Sequence, residues 1–245
     1  MFSEGIHHSS FVMLLLLVSF AVIHSGGAAL RVKAESLIGP RAWRLIFASL
    51  SIPAAGVLII YFLAHRYDGI RLWNLQGVPG MVQIVWCLTA LSFLFLYPAT
   101  YNLLEIPALA KPQMRLYEQG IIRITRHPQA VGQIIWCFAH GLWIGSSFMM
   151  CTCFGLIGHH LFAVWHGDKR LREKFGADFE ELKRNTSVIP FLAVINGRQT
   201  LEIKEFLRPS QFGICIAVAT FWWGHRFISF GSEVFLSSKL SELLA

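Results

Sequence analysis

Residues Ser9–Leu30 read SSFVMLLLLVSFAVIHSGGAAL, a window without Asp, Glu, Lys or Arg. A helix needs roughly 20 apolar residues to cross a bilayer, so this window predicts a transmembrane span. Five more windows qualify, at approximately 43–64, 81–101, 129–147, 148–165 and 210–230. Because other spans follow it, the first does not read as a cleaved signal peptide, nor do the residues before it read as a plastid transit peptide. The expected fold is an all-α integral membrane protein, a single transmembrane domain over residues 1–245. It is a bundle of about six helices with a basic amphipathic loop between spans five and six.

Composition agrees. Of 245 residues, 55% are hydrophobic and 14% charged, against about 25% charged in a soluble domain. Sixteen of the 35 charges fall between Trp165 and Pro209. These values exclude disorder, a collagen-like fibre and a disulfide scaffold. The net charge of +7 does not indicate nucleic acid, because the basic residues sit between hydrophobic blocks. All five cysteines lie in apolar stretches, and Cys151-x-Cys153 lacks zinc-knuckle spacing.

The basic residues also give an orientation. The connections after spans one, three and five hold 17 of the 21 Lys and Arg, including Lys111, Arg115 and Arg208. The opposite face holds Arg66, Arg71, Arg226 and Lys239. By the positive-inside rule both termini face the lumen or periplasm. Spans four and five share a short turn near Ser146–Ser147 and form a hairpin. In the large loop, Asp168–Phe175 reads as an amphipathic helix ended by Gly176, and Asp178 caps a second helix through Arg184. Leu171, Phe175, Phe179 and Leu182 then line an apolar face on the membrane surface.

The spans hold almost no carboxylate, and the titratable side chain that stands out in them is histidine. A polar group at membrane depth marks a functional site by default, although helix-to-helix hydrogen bonding is the plain alternative. His24 has Gly27 and Ala28 at i+3 and i+4, which leaves room for a flat group or for close helix packing. Cys137 and His140 share a face one turn apart, between Trp136 and Trp143. This pair suits a metal or haem face, and zinc less so. His159 and His160 are adjacent, so at most one serves a given site. His65 opens the segment His65-Arg66-Tyr67-Asp68-Gly69 at the far interface, where a structural role suffices. At 1.5 Å rise, His24 and His159 lie roughly 9 Å from the basic face and His140 roughly 14–18 Å. Depth alone therefore favours His24 with His159.

Arg126-His127-Pro128, taken with Phe175-Gly176, Phe179 and Val188-Ile189-Pro190, resembles the cofactor segments of membrane methyltransferases that use S-adenosylmethionine. Ala130 stands where those enzymes carry an aromatic. The acidic pair expected before the leucine of the loop helix is replaced by Gly167-Asp168-Lys169-Arg170.

A longer ordered set runs from the first span to about Arg198. It comprises Ile23-His24-Ser25-Gly26, His65–Gly69, Leu75–Gly80, Tyr97–Glu105, Ile122–Gln129, the Cys137/His140 segment, Gly158–Phe162 and Arg184–Phe191. This set resembles the NnrU-like membrane family and, within it, the isomerases of 15-cis-zeta-carotene. The resemblance implies haem b, with its iron held by His24 and His140 and with Cys137 as an alternate ligand on redox change. It further implies that His65 and His159 serve activity. The implied reaction turns the 15-cis bond of 9,15,9'-tri-cis-zeta-carotene to trans, giving the 9,9'-di-cis product. The implied partners are the carotenoid within the bilayer, the lipid membrane, an electron donor and other carotenoid enzymes. The implied setting is a photosynthetic membrane, either thylakoid, plastid or bacterial inner membrane. A methyltransferase and a b-type cytochrome electron carrier are the alternative readings.

Overall fold

The computed structural model describes residues 2–100, 116, 118–206, 213, 215–225 and 227. Tyr101–Glu105 of the long motif set, the basic residues Lys111, Arg115, Arg208, Arg226 and Lys239, and parts of the 210–230 window lie outside the described residues. Among the described residues the chain is helical, and its one β-like feature is an isolated bridge between Arg71 and Ser146.

Helix α1 (Phe2–Ala21) passes through a π-helical turn, Val22–Gly26, into α2 (Gly27–Ile38). Gly39, at φ 82°, ends α2, and Pro40 opens α3 (Pro40–His65). Glycine tolerates that left-handed backbone, while proline suits a first helical turn because its missing N–H has no partner to lose there. The later helices are α4 (Met81–Thr100), α5 (Ile121–Ile124), α6 (Pro128–Ile144), α7 (Ser147–Phe175), α8 (Ala177–Asn185), α9 (Leu192–Ile195) and α10 (Ile203–Phe206). Residues 215–225 are also helical.

Among the described residues three helices are long and apolar enough to cross a membrane: His8–Ile38, Pro40–His65 and Ser147–Phe175. Met81–Leu96 is a shorter apolar helix. The long helices leave large apolar side chains such as Val32, Leu45, Ile52 and Phe154 exposed, which suits contact with lipid rather than water.

The described residues form two compact units. The first takes Met1–Met81 and His140–His159. In it α1 and α2 pack on α3, and Met13, Leu17 and Phe148 are buried against Leu58, Tyr61, Phe62 and Leu156. The segment after α3 wraps the turn between α6 and α7. Trp73 Nε1 donates to the carbonyls of Gly141 and Leu142 at 3.1 Å each, and Gln76 Nε2 donates to that of Trp143 at 3.0 Å. The Leu72 N–H donates to the Gly145 carbonyl at 2.7 Å, and the Ser147 N–H to the Ile70 carbonyl at 2.9 Å. A helix leaves its last carbonyls and first amides unpaired, and these contacts supply partners for them.

The second unit takes Val82–Ala139 and His160–Phe227. Here Phe93 packs on Phe221 with ring centroids 4.7 Å apart, tying α4 to the 215–225 helix. α4 also meets α6 closely, because Ser92 Oγ donates to the Gly132 carbonyl at 2.9 Å.

Two details of the expected loop grammar change. The charged stretch Asp168–Phe175 is not a separate helix but the last part of α7, which runs straight through Gly167: one glycine costs a helix interior about 1 kcal/mol, and an existing helix extends at little further cost. α8 is not capped by Asp178. Its N-cap is Gly176, at φ 51°, and Asp178 sits in the first turn, where a negative charge favours the helix dipole. Phe179 and Leu182 are buried in the protein rather than laid on a membrane surface.

A Cβ added at Gly132 would stand 2.7 Å from Leu96 Cγ and 2.8 Å from the Ser92 carbonyl oxygen. The second obstacle is backbone and cannot rotate away. Gly132→Ala should therefore destabilise the protein by roughly 1–3 kcal/mol, seen as a lower thermal midpoint in detergent. An unchanged midpoint would show that α4 and α6 are not packed this closely.

Candidate functional site

The π turn places His24 where the hydrogen-bond register of its helix changes, and π turns within α-helices frequently occur at functional sites. The His24 imidazole is exposed on the helix flank. Phe20 stacks on one side, with centroids 5.1 Å apart and planes 10° from parallel, and Phe47 lies 5.3 Å away at 40°. A Cβ at Gly27 would meet the Phe47 ring at 3.0 Å, whereas one at Gly26 would meet nothing within 4 Å. Gly27, on the same face as His24, thus serves close packing against Phe47.

Phe20 also meets His159 edge-on at 6.3 Å. The structure therefore gathers His24 and His159 around one phenylalanine. Gly158, beside His159, likewise has open space where a Cβ would stand. His140 is half-buried on α6, and Cys137, one turn earlier on the same helix, is buried. Gln133 Nε2 points at the Cys137 sulfur from 3.6 Å. The sequence reading missed Phe20 and Gln133, although Gln133 stands at i−4 from Cys137 and that spacing was visible.

His65 belongs to a second cluster in the first unit. Its Nδ1–H donates to Asp68 at 2.8 Å, and the Tyr61 and Phe148 rings lie 4.2 and 6.2 Å away. A carboxylate on Nδ1 fixes the tautomer and the ring orientation. Asp68 stands at i+3 and was legible from spacing, yet the sequence reading overlooked it.

The Arg-His-Pro segment is engaged within the protein. Arg126 Nη2 donates to Asp168 Oδ2 at 2.9 Å, and His127 Nε2–H donates to Oδ1 at 2.6 Å. The Arg126 N–H is bound to the Ser187 carbonyl, and Thr125 Oγ1 to that of Val188. Asp168 lies on the charged extension of α7, beyond the apolar span. Burial raises its carboxyl, but the hydrogen bonds from His127 and Arg126 outweigh that and hold it at about 2.

No group of three or more His, Cys, Asp or Glu side chains among the described residues is placed to hold a metal ion. The donors instead come as single imidazoles and one thiol. Such a set suits a metal that brings its own equatorial ligands and needs only axial ones from the protein, as haem iron does. His24, with its ring exposed on the helix flank and the Phe20 and Phe47 rings beside it, fits a donor of that kind.

Apolar helices that carry imidazoles and almost no carboxylate define a membrane-type helical protein. The chain matches the family model described as NnrU protein over residues 12–232, and it belongs to that family. It is 52% identical over 216 residues to the protein named 15-cis-zeta-carotene isomerase, chloroplastic, of Arabidopsis thaliana. It is 50% identical over 217 residues to the protein of the same name from Zea mays. Each match covers 87% of this chain and 59% of the relative, so the chain spans about three-fifths of their length. No solved structure matches it.

The Asp168 clamp makes a pH prediction. Its carboxyl ordinarily titrates near 3.8 and is depressed to about 2, so the clamp stabilises fully above pH 4 and is lost as pH falls through 2. Asp168→Asn should cost roughly 1–3 kcal/mol at neutral pH, the usual range for hydrogen bonds to a charged group. It should also remove part of the fall in thermal midpoint between pH 4 and pH 2. Identical pH profiles for variant and parent would remove Asp168 from the clamp.

Proposed function

We propose that this chain is a membrane isomerase that turns the 15-cis bond of 9,15,9'-tri-cis-zeta-carotene to trans, giving the 9,9'-di-cis product. The observation that carries the proposal is the 52% identity, over 87% of the chain, to a protein named for that isomerase. The chemistry of the chain supports it. The substrate is a hydrocarbon with no group for a carboxylate or lysine to bind. Phe, Trp, Leu and Ile surfaces hold it by burial, at about 25 cal/mol per Å².

In this reading haem b is held by His24 and His140, with Cys137 as an alternate ligand. When bound, the group would supply a redox-active iron. Phe20 and Phe47 fix the His24 ring against rotation, and Gln133 holds the Cys137 thiol through its amide N–H. His65, oriented by Asp68, and His159 serve activity without holding the iron. One observation favours a second pairing: His159, rather than His140, shares Phe20 with His24.

The same reading sets six spans in a plastid or other photosynthetic membrane, with the basic connections on one side and both termini on the lumenal or periplasmic side. The iron draws on an electron donor, and the substrate comes from other carotenoid enzymes. The methyltransferase alternative loses ground because Asp168 already engages Arg126 and His127.

Three variants test the ligand set. His24→Ala and His140→Ala should each abolish the Soret band of the purified protein and isomerisation in cells supplied with the tri-cis substrate. His159→Ala should keep the Soret band and lower isomerisation. Loss of the band in His159→Ala with retention in His140→Ala would transfer the second ligand to His159. Full isomerisation by a haem-free variant would overturn the cofactor.

A further inference from the structure

A cavity of about 300 Å³ lies in the second unit, away from the imidazoles. It is lined by Glu118, Gln119, Arg123, Leu182, Asn185, Arg198 and Gln199. That volume is at the small end for ligand sites and fits one sugar-sized group. Nothing in the isomerase reading uses it.

Its floor is built of mutually satisfied groups. Arg123 grips Glu205 with two parallel hydrogen bonds of 2.8 and 2.9 Å, and Glu205 Oε2 also accepts the Gly120 N–H at 2.6 Å. Arg123 Nη1 donates to Gln199 Oε1 at 2.7 Å, and the same oxygen accepts the Thr200 N–H at 3.0 Å. With its oxygen so occupied, Gln199 offers its amide hydrogens. Arg198 is fixed through Nη1, which donates to the Arg184 carbonyl at 2.7 Å.

The lining therefore mixes donors and acceptors with nearly balanced charge. Glu205 neutralises Arg123, and Glu118 offsets Arg198. The Asn185 amide can donate and accept, and Gln199 donates. A phosphate only accepts and would face the Glu118 carboxylate. Vicinal hydroxyls both donate and accept, and they match this wall.

A second observation is that the surface around the cavity is apolar. The segment 189–203, which contains Arg198 and Gln199, exposes Ile189 by 61%, Ile195 by 77% and Ile203 by 73%. Phe191 is held at φ 62°, a conformation unusual for a bulky residue, by its N–H bond to the Ile124 carbonyl, and it remains 44% exposed. Large apolar side chains left outward around a polar cavity suit acyl chains beside a headgroup.

We propose that this cavity binds the uncharged hexose headgroup of a glycolipid. The inference stands on the membrane character of the chain and is independent of the isomerase reading. The test uses the full chain in detergent, stripped of lipid and then exposed to equal amounts of a monogalactosyl diacylglycerol and phosphatidic acid, with bound lipid read by native mass spectrometry. The glycolipid should be retained about tenfold over phosphatidic acid, a ratio worth one well-made hydrogen-bond set. Asn185→Leu should remove that preference, and Glu118→Gln should shift it toward phosphatidic acid, with the far-ultraviolet circular dichroism of each variant unchanged. In a separate arm, methyl galactoside should displace the glycolipid only weakly. Displacement as strong as by the glycolipid itself would assign a free sugar and overturn the lipid. Preference for phosphatidic acid in the parent, or unchanged selectivity in both variants, would overturn the site.

Discussion

The turn between α6 and α7 is the point on which the first unit depends. Two helices joined by Gly145 and Ser146 leave terminal carbonyls and amides side by side, and each needs a partner. The segment after α3 resolves this with Trp73, Gln76 and the backbone of Ile70 and Leu72. Ser146 adds a bond from its Oγ to the Arg66 carbonyl at 2.7 Å. Because that segment begins at His65 and Asp68, the wrapping of the turn also determines where the second imidazole cluster forms. Phe148, buried just past the turn, packs against Tyr61 and Phe62 of α3 and lies 6.2 Å from the His65 ring.

Much of this architecture was legible in residue type and spacing. The helix ends at Gly39-Pro40 and Gly176 follow from backbone freedom at glycine and the fixed φ of proline. The hairpin turn near Ser146 follows from two apolar windows with no room for a loop. Other features were not legible, for physical reasons. A π turn has no sequence signature, because it differs from an α turn only by one step in hydrogen-bond register. The continuation of α7 to Phe175 was obscured because Gly167 and the change from apolar to charged composition look like a boundary, although a single glycine costs a helix only about 1 kcal/mol. The pairing of Asp168 with Arg126 and His127 spans about 40 residues of sequence, and it needs the fold to bring α7 beside the start of α6.

The candidate site divides along the same line. Histidines at membrane depth stand out in a chain so poor in charge, because each must be justified against the cost of burying a polar ring. Their partners are less visible. Phe20 reads as one more apolar residue of the first span, yet it joins His24 to His159. Depth counted along ideal helices favoured that same pair, whereas the family resemblance names His140. The two readings agree on His24 and differ over which helix supplies the second donor.

The account's central claim is that a chain with almost no acid–base equipment in its spans isomerises a hydrocarbon. The direct measurement is chromatographic separation of zeta-carotene isomers from bacterial cells that make the tri-cis form in darkness, with and without this chain. The account predicts that 9,15,9'-tri-cis-zeta-carotene is replaced by the 9,9'-di-cis isomer when the chain is present at haem-replete growth. An unchanged isomer ratio, with the protein present in the membrane and carrying its Soret band, would contradict it.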